Sequence, residues 1–155
     1  MIVATLMEEN IACVRPNQPL SDAARLMWDC DCGALPVVND NGEVCAMITD
    51  RDICMATWLR GSAPTALTVS SAMSRQLYHC SPFDTVSSAE ALMRAKQVRR
   101  LPVLDGEGAL LGVLSLADIA KATALAASTD LDPGKLTLTL ASICQPWQGE
   151  AQRSN

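Results

Sequence analysis

Two short stretches carry residue types that could do chemistry: Thr49-Asp50-Arg51-Asp52 and Ser115-Leu116-Ala117-Asp118. In each, a hydroxyl is followed three positions later by a carboxylate. Where a strand ends and a helix begins, unpaired N–H groups and the positive end of the helix dipole favour an anion such as a phosphate. A carboxylate three residues into that junction can accept hydrogen bonds from a ribose hydroxyl pair. The same spacing is that of a capping box, which serves the helix itself and needs no ligand. Arg99-Arg100 offer forked donors of fixed charge to a phosphate. At the equivalent place the first stretch has Gly33-Ala34, which leaves Arg51 as its basic residue.

Other chemistry finds less support in the residues. His79, the one histidine, has no nucleophile or carboxylate partner at a motif spacing, and no Walker-type loop is present. The seven cysteines (13, 30, 32, 45, 54, 80 and 144) are odd in number and irregular in spacing. They read as small buried hydrophobes in a reducing cytoplasm rather than as a disulfide scaffold. A metal site on Cys30, Cys32, His79 and Cys80 lacks the usual ligand spacing. Redox or metal sensing by cysteines is the lesser alternative.

These residues need elements to position them, and the chain is long enough to supply them. It has 155 residues, 49% apolar, 19% charged and only 3% aromatic, so its core must be mainly aliphatic. A net charge of −5 argues against a nucleic-acid or anionic-membrane footprint. No apolar run reaches the roughly 18–20 residues of a membrane span. The first residues lack a basic start and meet Glu8-Glu9 at once, unlike a signal peptide.

Sliding the sequence by 66 places 5–56 onto 71–122 without a gap, with 13 of 52 pairs identical. Ser21-x-Ala23-x-x-Leu26-Met27 meets Ser87-x-Ala89-x-x-Leu92-Met93, and Leu35-Pro36-Val37 meets Leu101-Pro102-Val103. Each copy reads as a short strand (Ile11–Val14, Leu77–Cys80), a helix capped by Ser21 or Ser87, a hairpin closed by an Asn/Asp/Gly loop, and a second helix from Asp50 or Leu116. The expected organisation is a first unit at 1–59, a linker at 60–68, a second unit at 69–127 and a tail at 128–155. The tail reads as a short helix with a frayed end. The fold class is α/β (α+β): two pseudo-twofold repeats, each strand-helix-strand-strand-helix, packed sheet to sheet around one shared core. Leu26, Met27, Ile48, Leu92, Met93 and Leu114 are expected to be buried.

This order of elements resembles the cystathionine-β-synthase (CBS) domain family, whose tandem pair is called a Bateman module. The resemblance covers about 4–127. It rests on Gly33-Ala34-Leu35-Pro36-Val37-Val38, Ala46-Met47-Ile48-Thr49-Asp50-Arg51-Asp52-Ile53 and their second-copy counterparts. It implies a free-standing, non-enzymatic sensor that binds AMP, ADP, ATP or S-adenosylmethionine and signals to an effector protein, as a cytoplasmic homodimer. The implied contacts are Asp118 and Asp52 to ribose, and Ser115 and Thr49 to ribose or phosphate. Arg99, Arg100 and Arg51 would reach phosphate. Leu101, His79 and Cys80 in one cleft, with Leu35 and Cys13 in the other, would surround the base. The second cleft is expected to bind more tightly. A scaffold with empty clefts is the rival reading.

Overall fold

Helices form where apolar residues recur every three or four positions. In the computed structural model, which describes residues 1–125 and 131–146, α1 (Leu20–Asp29) buries Leu20, Ala23 and Met27 along one side. The hairpin β1 (Ala34–Val38) and β2 (Val44–Thr49) follows, then α2 (Asp50–Arg60). The second repeat gives α3 (Val86–Lys96), β3 (Arg100–Leu104), β4 (Leu110–Ser115) and α4 (Leu116–Ala124). In the tail, α5 (Pro133–Ile143) starts on an Asp132 cap with Pro133 at its first position. The frayed end expected from Gly149 onward lies outside the described residues.

Both hairpins are antiparallel, and each ladder slips at the same place, Val37/Val38 and Val103/Leu104. Their loops are built alike. The side-chain oxygens of Asn39 and Asp105 each accept two N–H groups of their own loop at 2.8–3.0 Å. Gly42 and Gly108 close the turns at φ 85° and 84°, where an L side chain is strained.

Two local expectations change. The strands expected over Ile11–Val14 and Leu77–Cys80 shrink to single parallel bridges, Val14 with Val37 and Cys80 with Val103. Pro16 and Pro82 follow two residues later and have no N–H to extend the ladder. Ser21 and Ser87 lie within the first helical turn, while Pro19 and Thr85 occupy the cap positions. The first N–H groups of α1 and α3 go instead to Leu67 O at 2.8 Å and Met1 O at 3.1 Å.

Two hydrophobic cores form, one per repeat, in place of the single shared core expected. Met27, Ile48, Met93 and Leu114 are buried, whereas Leu26 and Leu92 are half-buried against their clusters. The halves are joined by an exchange of arms. Val3 is buried in the second core and Val69 in the first. Val3 N–H donates to Asp84 O (2.9 Å) and Ala4 N–H to Pro82 O (3.0 Å). Their counterparts, Val69 to Gln18 O and Ser70 to Pro16 O, are both 2.8 Å. Each repeat therefore covers the other's core with its leading segment. The hairpins also meet directly, through Val44 N–H to Gly108 O at 3.0 Å.

Gly112 marks the tightest arm contact: a Cβ there would lie 2.7 Å from the Glu8 carbonyl oxygen. The bare backbone lets Glu8 and Val113 exchange both N–H···O bonds at 2.9 Å. Ala46 holds the matching place in the first repeat. There Ser74 N–H reaches Met47 O at 2.8 Å, but Met47 N–H is taken by the Ser74 hydroxyl at 3.0 Å. The Gly-to-Ala difference thus goes with a difference in how the two arms pack. Among the described residues, no helix is long and apolar enough to cross a membrane.

Candidate functional site

Each hairpin's second strand runs straight into a helix, because the hydroxyl residue at the junction caps it. Ser115 Oγ accepts from Asp118 N–H at 3.2 Å, and Asp118 Oδ2 accepts from Ser115 N–H at 2.9 Å and Ser115 Oγ–H at 2.6 Å. Thr49 and Asp52 repeat the pattern at 3.2, 2.9 and 2.7 Å. Both carboxylates spend Oδ2 on the helix; among the described residues Oδ1 has no partner. Capping and ligand binding are therefore compatible, with one oxygen left for each role.

The register supplies the charge. Arg100 pairs directly with Ser115 across β3 and β4, and directly paired side chains stand on one face of an antiparallel ladder. Arg99 precedes the strand and is exposed; its carbonyl accepts from Leu116 N–H at 2.9 Å. In the first repeat the partner of Thr49 is Ala34, and α2 opens with Asp50, whose Oδ1 accepts from Arg51 N–H at 2.7 Å. The second junction thus combines a helix N-terminus and two arginines with one carboxylate. The first has two carboxylates and one exposed arginine, Arg51. An anion is favoured at the second.

Three residues assigned to base contact are buried. Leu35 and Leu101 are almost fully buried, since strand alternation turns them into the two cores. Cys80 is also buried, and its bridge consumes its main chain: Cys80 N–H donates to Pro102 O at 3.1 Å and Leu104 N–H donates to Cys80 O at 3.0 Å. Cys13 and His79, one residue earlier in each repeat, are exposed with backbone groups unpaired among the described residues.

The cysteines are mostly not buried hydrophobes. Cys13, Cys30, Cys45, Cys54 and Cys144 are exposed, Cys32 is half-buried and only Cys80 is buried; all seven are free thiols. Apolar neighbours misled because the exposed side of a strand or helix alternates within an apolar run, as at Cys45 and Cys54. Burial, with Asp84 adding to it, pushes the Cys80 thiol up to about 11. Burial also raises Cys32, against the Ala34 N–H and the Arg100 charge reaching it from the second repeat. No cluster of three or more His, Cys, Asp or Glu suited to a metal ion occurs among the described residues.

A cavity of about 420 Å³ lies on the helical side of the first repeat, between α1 and α2, with Trp28, Asp31 and Asp50 in its lining. Sequence reasoning missed it. An exposed Trp28 at the end of an otherwise amphipathic helix was the available signal.

Comparison with known proteins agrees with this geometry. The CBS domain profile matches residues 3–58 and 69–125. CBS domain-containing protein YhcV of Bacillus subtilis is 38% identical over 118 residues, spanning 76% of this chain and 82% of that protein. Hypoxic response protein 1 of Mycobacterium tuberculosis is 32% identical over 116 residues, spanning 75% and 80%. The crystal structure of Hypoxic Response Protein I, with two coordinated zinc ions, superposes with a TM-score of 0.71 at 30% identity over 78% of this chain and 98% of that one. Two more distant structures share the fold. The CBS domain pair of MJ0100, in complex with 5′-methylthioadenosine and S-adenosyl-L-methionine, has a TM-score of 0.73 at 19% identity, covering 80% and 96%. CBSX2 in complex with AMP has 0.71 at 23%, covering 82% and 98%. Two profile matches in register with the two structural repeats place this chain in the CBS domain family, as a tandem pair.

Proposed function

We propose that the chain is a regulatory module that binds an adenine nucleotide or adenosyl ligand and reports its occupancy to an effector protein. The observation that carries this reading is the second junction, where Arg100 stands across from Ser115 and Asp118 keeps one oxygen free of its capping duty. There Asp118 would take the ribose hydroxyls, the N-terminus of α4 with Arg100 and Arg99 the phosphate, and His79 the base side. Thr49, Asp52 and Arg51 would form the weaker second site, with Cys13 at its base side. AMP, ADP, ATP and S-adenosylmethionine are the candidate ligands, a class supported by those held in MJ0100 and CBSX2. The module acts by binding rather than catalysis, in the cytoplasm. Ligand shifts the balance between arrangements of the two repeats only as far as it binds one better than the other. A homodimer, which the family resemblance implies, would have to use the helical face that α5 leaves open.

A thermal-shift panel with these four ligands tests the proposal. A ligand present at 100 times its Kd stabilises the native state by about 2.7 kcal/mol. One or more of the four should raise the melting midpoint by several degrees. A flat response to all four would favour the empty scaffold.

A further inference from the structure

The turn that ends α1 holds two thiols. Cys30 closes the helix, Asp31 takes the left-handed conformation at φ 49°, and Cys32 leads toward β1. Three N–H groups fold back onto the helix: Cys30 to Leu26 O at 3.0 Å, Asp31 to Trp28 O at 3.2 Å and Cys32 to Met27 O at 2.9 Å. The turn then grips the first junction, because Gly33 O accepts at 3.2 Å from the N–H of Asp50, the first residue of α2. The residues 66 positions on are Lys96, Gln97 and Val98. They make the same turn, with Gln97 at φ 53°, and Arg99 O accepts from Leu116 N–H at 2.9 Å. That copy carries no thiol. It is also held by α5, which packs against α3 and α4 and receives Gln97 Nε2–H on Ser142 O at 3.0 Å.

We propose that Cys30 and Cys32 are an oxidation site: hydrogen peroxide closes them into a disulfide, and the closed turn releases the start of α2. Cys30 is exposed and meets the oxidant, while Cys32 is half-buried against the first core. Burial raises the Cys32 thiol, so Cys30 is the sulfur that reacts first; the Ala34 N–H and the Arg100 charge then ease the loss of the Cys32 proton. In the first step the Cys30 sulfur attacks one peroxide oxygen and the O–O bond breaks. A sulfenic acid forms, and water leaves with the thiol proton. In the second, the Cys32 sulfur attacks the Cys30 sulfur, the S–S bond forms, the S–O bond breaks and a second water carries off the Cys32 proton. Two electrons have passed from the sulfurs to the peroxide. The chain permits the bond: residues two apart have Cα atoms within about 7 Å even when extended, and a disulfide spans about 4.4–6.8 Å. Closing it draws Cys32 toward Cys30 and away from the first core. The bonds on either side, to Met27 O and from Asp50 N–H, then loosen. A second copy on the open helical face leaves Cys30 accessible, since Cys30 stands about 200° round the helix from Trp28.

What a released junction does to a bound nucleotide would rest on the proposed function, so the test reads the junction itself, in the full chain without ligand. After hydrogen peroxide treatment and blocking of the remaining thiols, cleavage after Arg and Glu yields 26–43, in which Cys30 and Cys32 are the only cysteines. This peptide should be unblocked and two hydrogens lighter than its reduced form, and dithiothreitol should restore it. Hydrogen exchange across 50–53 should be at least tenfold faster in the oxidised chain, with 116–119 unchanged. Cys30→Ser, a change at an exposed position, should fold as wild type does and show neither effect under the same treatment. A 26–43 peptide that gains oxygen or label, or is linked to another cysteine, overturns the oxidation site. A bridge with unchanged exchange across 50–53, or the same quickening in Cys30→Ser, overturns its link to the junction.

Discussion

Gly112 shows how one missing methyl group can decide a local arrangement. Its backbone is pressed against the Glu8 carbonyl, so Gly112→Ala should destabilise the fold by about 1–3 kcal/mol, the usual cost of overpacking. Urea unfolding would read this, and an unchanged midpoint would show that the arm moves aside freely. Cys80 carries a pH dependence of definite sign. Its thiol is raised from 9.0 to about 11 by burial and Asp84, so the folded state prefers it protonated. That contribution is intact below pH 9 and fades as pH rises toward 11. The stability gap between wild type and Cys80→Ala should therefore narrow between pH 8 and pH 11; a constant gap would contradict the assignment. At this scale the hydroxyl–carboxylate pairs were legible in sequence, because a capping box is local. The burial of Leu35 and Leu101 was not, because it depends on which face of a strand meets a core some tens of residues away.

Among the elements, the helices and hairpins followed from apolar periodicity and from the Asn/Asp/Gly loops. Both helices after the hairpins start where the junction residues indicated, at Asp50 and Leu116. The exchange of arms was illegible, since Val3 and Val69 carry no local sign of which core they enter. The seat of α5 was hidden for the same reason. Its polar key is the Thr139 hydroxyl, fully buried against the buried Glu90 carboxyl. Thr139→Val keeps the shape and removes the donor, leaving a buried acceptor unsatisfied at a cost of about 1–3 kcal/mol. Hydrogen exchange should quicken across α5 and little elsewhere. Uniform exchange in both proteins would mean that Leu136 and Ile143 hold the helix unaided.

For the whole molecule, duplication supplies two junctions of one design and then sets them apart. One has Arg100 across from its capping serine; the other has Ala34 across from its threonine and Asp50 beside it. The repeat was visible in the sequence, and so was this imbalance of charge. The two separate cores and the single covered helical face emerged only in three dimensions. The central claim is that the second junction binds the ligand. Calorimetric titration of AMP, ADP, ATP and S-adenosylmethionine into wild type, Asp118→Ala and Asp52→Ala, with melting points recorded alongside, tests it most directly. A hydrogen bond to a charged group is worth about 1.5–3 kcal/mol, so Asp118→Ala should weaken the tightest event at least tenfold, while Asp52→Ala leaves that event in place. Asp118→Ala that lowers the melting point with affinity untouched would reduce the residue to a helix cap, and loss of the tight event in Asp52→Ala would move the site to the first repeat.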